Sequence, residues 1–362
     1  MARKPKRELK RGWTTGACAT AAAKAAYTAL LTGEFPDPVQ ITLPNGENPA
    51  FSLVREGKGF GKAFAAIIKD AGDDPDVTHE AVIQVEVLLK PSSSGIEFRA
   101  GPGVGTVTRE GLPLAVGEPA INPAPRQMIE AAIKEVASSH GVQNGLTITI
   151  SVDGGAKIAE KTWNPRLGIL GGISILGTTG VVIPYSCSAW IESIHRGIDV
   201  ARAAGEQVVA GCTGRTSENK TQTHLNLPNH AMIDMGDFVG GMLKYMRTHP
   251  VPKVVIGGGF AKITKLAHGH MDLHSGRSQI DAAWLGDIVA ELGASPTIAD
   301  QVRTSNTAAQ ILEICHKNQL PIAQEIAQRA AVVALEILND VELDVGVLIF
   351  DRRGNLVGAH NG

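Results

Sequence analysis

Residues 162–184 read TWNPRLGILGGISILGTTGVVIP, which sets Gly168, Gly171, Gly172, Gly177 and Gly180 in a frame of Ile, Leu and Val. Asn164, Arg166, Thr178 and Thr179 supply polar groups in the same stretch. Glycine gives up more backbone freedom on folding than any other residue, so repeated use inside apolar sequence signals tight turns or backbone passing close to something large. Similar clusters stand at Thr14-Thr15-Gly16, at 101–106 (GPGVGT, with Gly101, Gly103 and Gly105), at 211–215 (GCTGR) and at Gly257-Gly258-Gly259. So many backbone-exposing loops point to a sizeable polar ligand.

Two blocks repeat one design. VVIGGGFAK at 254–262 and VVAGCTGR at 208–215 each run from an apolar strand signal through glycine toward a helix start, where backbone N–H groups can approach a carboxylate, ribose or phosphate. On neighbouring parallel strands both turns would open at the carboxyl edge, where α/β sheets bind ligands. Neither carries G-x-G-x-x-G or G-x-x-x-x-G-K-[ST], so neither NAD nor ATP is specified, and a plain strand-to-helix turn remains open.

HGHMDLH brings His268, His270 and His274 close in sequence with Asp272 between, but no fourth ligand accompanies them and no protein metal site is assigned. Cys187 and His195 lack an elbow motif. Asp281, in SQIDAAW, and His274 are weak candidates for acid or base; a first-turn helix position is the commoner role for such an aspartate.

These groups need about two domains to position them, given 362 residues. Hydrophobic residues make up 43% and charged residues 19%, a globular composition, and aromatics at 4% are too sparse for base-stacking platforms. A net charge of −2 and a pI near 6.6 argue against a nucleic-acid or membrane partner. The start, MARKPKRELKRGW, is basic without the apolar stretch of a signal peptide and reads as a solvated tail, so a cytoplasmic protein is expected. Cys18, Cys187, Cys212 and Cys315 show no C-x-x-C spacing and are expected reduced.

Thr14 or Thr15 is expected to cap a helix over 17–31 closed by Gly33, which puts the first glycine-threonine cluster at an anion-attracting helix end. Strands are expected at 39–43, 50–55, 82–89, 96–100, 106–109 and 146–152, with helices at 63–70 and 126–139. The second half predicts helices at 189–204, 235–248, 260–267, 280–291, 299–316 and 322–338 between short strands at 207–210, 253–256 and 345–350. The fold class is therefore α/β: a mixed α+β two-layer domain over 1–160, then a Rossmann-like layered α/β domain over 161–362, the boundary falling between Ser151 and Pro184.

Taken in order, RGWTTGACATAAAKAA (11–26), IKDAGDDPDVTH (68–79), RAGPGVGTVTREGL (99–112), GEPAINPAPR (117–126), NPRLGILGGISILGTTGVVIP (164–184) and GGGFAKITKLAHGHMDLHS (257–275) resemble the cobalt-precorrin-5B C1-methyltransferase family, the CbiD family. Two departures stand out: Trp13 replaces an expected tyrosine, and GCTGRTSEN is unusually polar. The resemblance implies methyl transfer from S-adenosylmethionine to carbon 1 of a contracted tetrapyrrole in cobalamin biosynthesis, with cobalt present only inside the substrate. The donor is expected on the second domain, at Gly211, Thr213, Gly214, Gly257, Gly258, Gly259 and Lys262. Acceptor contacts would fall at Thr14, Thr15, Gly16, Gly101, Gly103, Gly105, Asn164, Gly171, Gly172, Thr178 and Thr179, with the acceptor between the domains. Arg109, Arg126, Arg166 and Arg215, each beside a Gly or Pro turn, suit bidentate capture of its rim carboxylates. A non-catalytic tetrapyrrole carrier and a nucleotide-dependent phosphotransferase are the competing readings, and a symmetric homodimer is the expected assembly.

Overall fold

The computed structural model describes residues 8–90, 95–339 and 341–362; residues 1–7 of the basic start lie outside them. The chain divides into two compact units, Met1–Cys187 and Ser188–Gly362.

The first unit runs β1 (Gly12–Trp13), α1 (Thr15–Thr32), β2 (Val39–Gln40), β3 (Ala50–Phe51), β4 (Arg55–Gly59), β5 (Lys62–Ile68), β6 (Val82–Lys90), β7 (Ile96–Ala100), β8 (Gly103–Val104), β9 (Thr106–Val107), α2 (Pro123–Ser139), β10 (Gly145–Val152), α3 (Gly155–Ala159), β11 (Ile169–Leu170), β12 (Gly172–Ile173) and β13 (Val181–Val182). Its main sheet has the order β4-β5-β6-β10-β7, antiparallel except for β10 with β7. Alternate residues Ile83, Val85 and Val87 of β6 and Leu146, Ile148 and Ile150 of β10 are buried, the signature of a sheet with one covered face.

Helix α1 supplies that cover, packed against β5 and β6 on one side and α2 on the other. Its run of alanines is what allows burial between two layers, because no large side chain holds the neighbours apart. Thr14 caps it by accepting the Ala17 N–H at 3.1 Å, and Gly33 ends it in the left-handed region at φ 88°. Most of 63–70, expected as a helix, lies instead in β5, which pairs with β4 on one side and β6 on the other.

The second unit follows with α4 (Cys187–Ala203), β14 (Val208–Cys212), α5 (Arg215–Leu225), β15 (Met232–Asp234), α6 (Val239–Met246), β16 (Lys253–Gly259), α7 (Phe260–Ala267), α8 (Ala282–Glu291), α9 (Pro296–Arg303), α10 (Ala308–Lys317), α11 (Ile322–Leu338), β17 (Asp344–Phe350) and β18 (Leu356–His360). Its sheet has the order β15-β14-β16-β17-β18, parallel apart from the last strand. From β14 the chain crosses to β15 on one side and then to β16 on the other. The carboxyl ends of β14 and β16 therefore flank a topological switch point.

Three expectations are corrected here. All of Gly257-Gly258-Gly259 lies within β16, pairing with Leu348, Ile349 and Phe350, so the triple glycine is strand and not turn. The helix expected over 299–316 is two helices, because Thr304 bonds back to Asp300 and Thr307 caps a new start by accepting the Gln310 N–H at 3.2 Å. Residues 161–184, assigned by sequence to the second domain, belong to the first unit. Pairings of β12 with β8, β11 with β9 and β13 with β1 hold them there.

Candidate functional site

In the first unit the glycine-threonine clusters are sewn into one region. The Leu176 N–H donates to Thr15 Oγ1 at 2.9 Å, and its carbonyl accepts the Gly16 N–H at 3.0 Å. Asn164 is buried and bonds the Gly172 carbonyl at 3.0 Å, while the Ser174 hydroxyl donates to its side-chain oxygen at 3.3 Å. Gly103 and Gly172 face each other as partners in the β8–β12 pair, and a Cβ on Gly172 would overlap the Gly103 carbonyl. Gly101 and Gly105 are similarly hemmed in, by Ser151 and by Ile169 and the Gly172 carbonyl. These glycines thus let the chain approach itself, and Thr14, Thr15, Gly16 and Asn164 spend their polar groups internally.

What this region turns outward is different. Leu170, Leu176 and Ile183 are exposed, together with Gly171, Thr178 and Thr179. Of the arginines, Arg126 is committed: its guanidinium bonds the Ile121 carbonyl at 2.8 Å and Glu118 at 3.1 Å, and lies over the Phe98 ring. Arg166 stacks 5.4 Å from the Trp163 ring centroid, Arg109 is exposed beside Gly168, and Arg215 is the exposed first residue of α5 in the other unit.

In the second unit the carboxyl edge of β14 and β16 brings Gly211, Thr213 and Gly214 beside Gly257, Gly258 and Gly259. The Thr213 N–H donates to the Gly257 carbonyl at 3.0 Å, extending the ladder past the end of β14. Space is unequal along this edge. Gly211 is filled against Met242, Gly257 against Thr221 and Cys212, and Gly258 against Ile263, whereas a Cβ on Gly214 meets nothing and one on Gly259 only the Phe350 carbonyl at 4.0 Å. Gly214 and Gly259 are the helix-starting positions, so the open backbone is where α5 and α7 begin.

Two carboxylates stand near that edge, with Arg215 exposed beside Gly214. Glu218, in the first turn of α5, and Asp234, ending β15, both lie close enough to act electrostatically on Cys212, whose thiol burial first of all pushes up to about 12. Asp237 is buried and pairs with Lys262, whose ammonium also bonds the Leu273 carbonyl at 2.9 Å. Asp281 caps α8 by accepting the Trp284 N–H at 3.0 Å, and His274 Nδ1 accepts the Gly276 N–H at 3.1 Å, so both candidates for acid or base have local structural duties. His268 stacks on Trp284, and among the described residues no group of three or more His, Cys, Asp or Glu is placed to hold a metal ion.

Sequence reading missed α5, β15 and the acids they carry, because RTSENKTQTHL has almost no apolar periodicity and MID is too short to stand out. It also missed Lys265, although Lys262 and Lys265 at i and i+3 share a helix face. Cys18 and Cys315 are buried as well, their thiols raised by burial to about 12 and about 11, and none of the four cysteines is in a disulfide. No helix among the described residues is long and apolar enough to cross a membrane.

Comparison with known proteins is decisive for kinship. A family model described as CbiD matches residues 2–184, and one described as CbiD, C-terminal domain, matches 272–361. Proteins named cobalt-precorrin-5B C(1)-methyltransferase from Brucella anthropi, Brucella canis and Brucella suis are each 57% identical over 352 residues, 97% of this chain and 96% of theirs. A solved cobalamin biosynthesis protein (CbiD) from Archaeoglobus fulgidus is 29% identical, covering 70% of this chain and 77% of that one at a TM-score of 0.39. Matched at both ends by the family's models and along nearly its whole length by these relatives, the chain belongs to the CbiD family.

Proposed function

We propose that this protein transfers a methyl group from S-adenosylmethionine to carbon 1 of cobalt-precorrin-5B, giving cobalt-precorrin-6A and S-adenosylhomocysteine. Identity of 57% to methyltransferases of that name, across 97% of the chain, carries the reading. The donor supplies an already electrophilic sulfonium methyl: a π pair of the macrocycle forms the carbon 1–methyl bond as the methyl–sulfur bond breaks and its pair returns to sulfur, and the methylated ring then releases a proton to solvent. Alignment and exclusion of water then account for most of what the protein must do, and no covalent nucleophile is needed. The buried, neutral thiols of Cys18, Cys212 and Cys315 agree with that.

The donor, in this proposal, sits at the switch point against Thr213, Gly214 and Gly259, the open part of the edge. S-adenosylmethionine carries a sulfonium and an ammonium against one carboxylate, so the Glu218 and Asp234 carboxylates favour it. The acceptor is proposed to lie against the outward strip of the first unit. Leu170, Leu176 and Ile183 offer apolar surface to the macrocycle, with Arg109 and Arg166 as the side chains proposed to meet its rim carboxylates.

Incubating the purified protein with cobalt-precorrin-5B and methyl-labelled S-adenosylmethionine, then locating the label by NMR, tests this. Label on carbon 1 is expected; label elsewhere, or none transferred, overturns the reading.

A further inference from the structure

Strand β14, helix α5 and strand β15 form one parallel crossover, in which Ala210, Gly211 and Cys212 pair with Met232, Ile233 and Asp234. A crossover with a glycine turn ahead of its helix brings the end of its second strand beside that turn, at the carboxyl edge of the sheet. Here the second strand ends in an aspartate, Asp234, about 20 residues beyond Gly214. In dinucleotide-binding crossovers an acid at that place and spacing accepts the ribose 2′-hydroxyl. The turn itself, GCTGR, lacks the glycine pattern that lets backbone close on a pyrophosphate. S-adenosylmethionine contains a ribose and no pyrophosphate, so an acid without the fingerprint is the combination that suits it.

The backbone that carries this carboxylate is held from two sides. The Gly236 N–H donates to the Cys212 carbonyl at 3.0 Å, which carries the β14–β15 ladder past the strand end, and the Trp190 indole N–H donates to the Asp234 carbonyl at 3.0 Å. The direction of the side chain follows from register, because partners on adjacent parallel strands point to the same face. Cys212 points toward α5, since a Cβ on Gly257 would meet both Cys212 Sγ and Thr221 Oγ1. Asp234 therefore stands on the α5 face, close enough for its charge to act on the Cys212 thiol. Two residues beyond Cys212 lies Gly214, where a Cβ would meet nothing. Asp234 is half-buried, and a carboxylate partly withdrawn from water makes the stronger hydrogen bond to a hydroxyl.

We infer that the Asp234 carboxylate accepts the 2′-hydroxyl of the methyl donor's ribose, an inference that rests on the donor placement proposed above. The adenosine end of the donor is thereby placed at β15, and Glu218 is left to the sulfonium.

The test is calorimetric binding of S-adenosylhomocysteine and of its 2′-deoxy form to the full-length protein, in wild type, Asp234→Asn and Asp234→Ala. Wild type is expected to bind S-adenosylhomocysteine about tenfold or more tightly than the 2′-deoxy form. In Asp234→Ala that preference is expected to shrink to within about twofold, with Asp234→Asn at about threefold. A purely structural role for Asp234 would weaken both ligands in parallel and keep their ratio; that result overturns the inference, as does a wild type indifferent to the hydroxyl. Should Asp234→Ala fail to fold by circular dichroism, Asp234→Asn, which keeps the size and removes the charge, decides by the same ratio. Because no acceptor is present, a wild type that shows the hydroxyl preference but transfers no methyl sinks the proposed reaction and leaves the Asp234 assignment standing. Absence of S-adenosylhomocysteine binding sinks both.

Discussion

The Lys69 ammonium, in a residue only 1% exposed, has the Asp76 carboxylate as its counter-ion at 2.6 Å. Burial pushes the Asp76 pKa up, but the charge of Lys69 and hydrogen bonds from Lys69 and Thr78 outweigh it and hold the carboxyl below its ordinary value. A carboxylate depressed in the folded state stabilises at pH above its unfolded pKa, about 3.9, and that contribution disappears as pH falls through the folded value. Asp76→Asn leaves the ammonium stranded and is expected to cost about 3 kcal/mol at neutral pH, measured by urea unfolding. The gap from wild type should close as pH falls through the folded value; a gap that stays level down the whole acid limb would mean that the pair is not its source.

Gly172 and Gly103 lie too close for any side chain on the facing edge of Gly172, so Gly172→Ala must force β8 and β12 apart. A loss of about 2–3 kcal/mol, or failure to fold, is expected. Gly171 next door faces open space, and at φ 87° Gly171→Ala should cost only about 1 kcal/mol of backbone strain. Thermal unfolding of the two variants checks the ranking, and equal losses would contradict the close approach.

Gly214→Leu sets its Cβ in open space at the donor edge, so it should lower the melting temperature far less than a substitution at Gly258 and weaken S-adenosylmethionine by about tenfold or more in calorimetry. Gly258→Leu should do the opposite. Its Cβ would lie 2.7 Å from Ile263 Cδ1, so stability falls before any ligand is considered. Donor affinity untouched in Gly214→Leu would move the donor away from this edge.

Glu218→Gln removes one negative charge where the sulfonium is proposed to sit. S-adenosylmethionine should weaken by about three- to tenfold while S-adenosylhomocysteine, lacking the sulfonium charge, changes less. Equal losses for both ligands would point to a structural role for Glu218 at the start of α5.

Much of this organisation was legible in the residues. Ile83-Gln84-Val85-Glu86-Val87 announces a half-covered strand, Thr14 and Gly33 bracket α1, and the apolar runs ahead of Gly211 and Gly257 mark neighbouring parallel strands. The glycines were visible as demands for space but not as to whose space: Gly103 and Gly172 serve each other, whereas Gly214 and Gly259 face nothing. That distinction depends on partners distant in sequence. KAFAAII over β5 carries alanines that suit a helix, and only strands on both sides override them.

The four cysteines, none in a disulfide, acquire a meaning from the acceptor proposed above. Thiolate is a soft ligand with a strong appetite for transition metals, and only the deprotonated sulfur coordinates. With three of the four sulfurs buried and kept protonated well past neutral pH, a cobalt-bearing macrocycle resting on this protein would meet Cys187 alone as a partly exposed thiol. Three of the four sulfurs that could compete for the substrate's cobalt are thereby withdrawn from it.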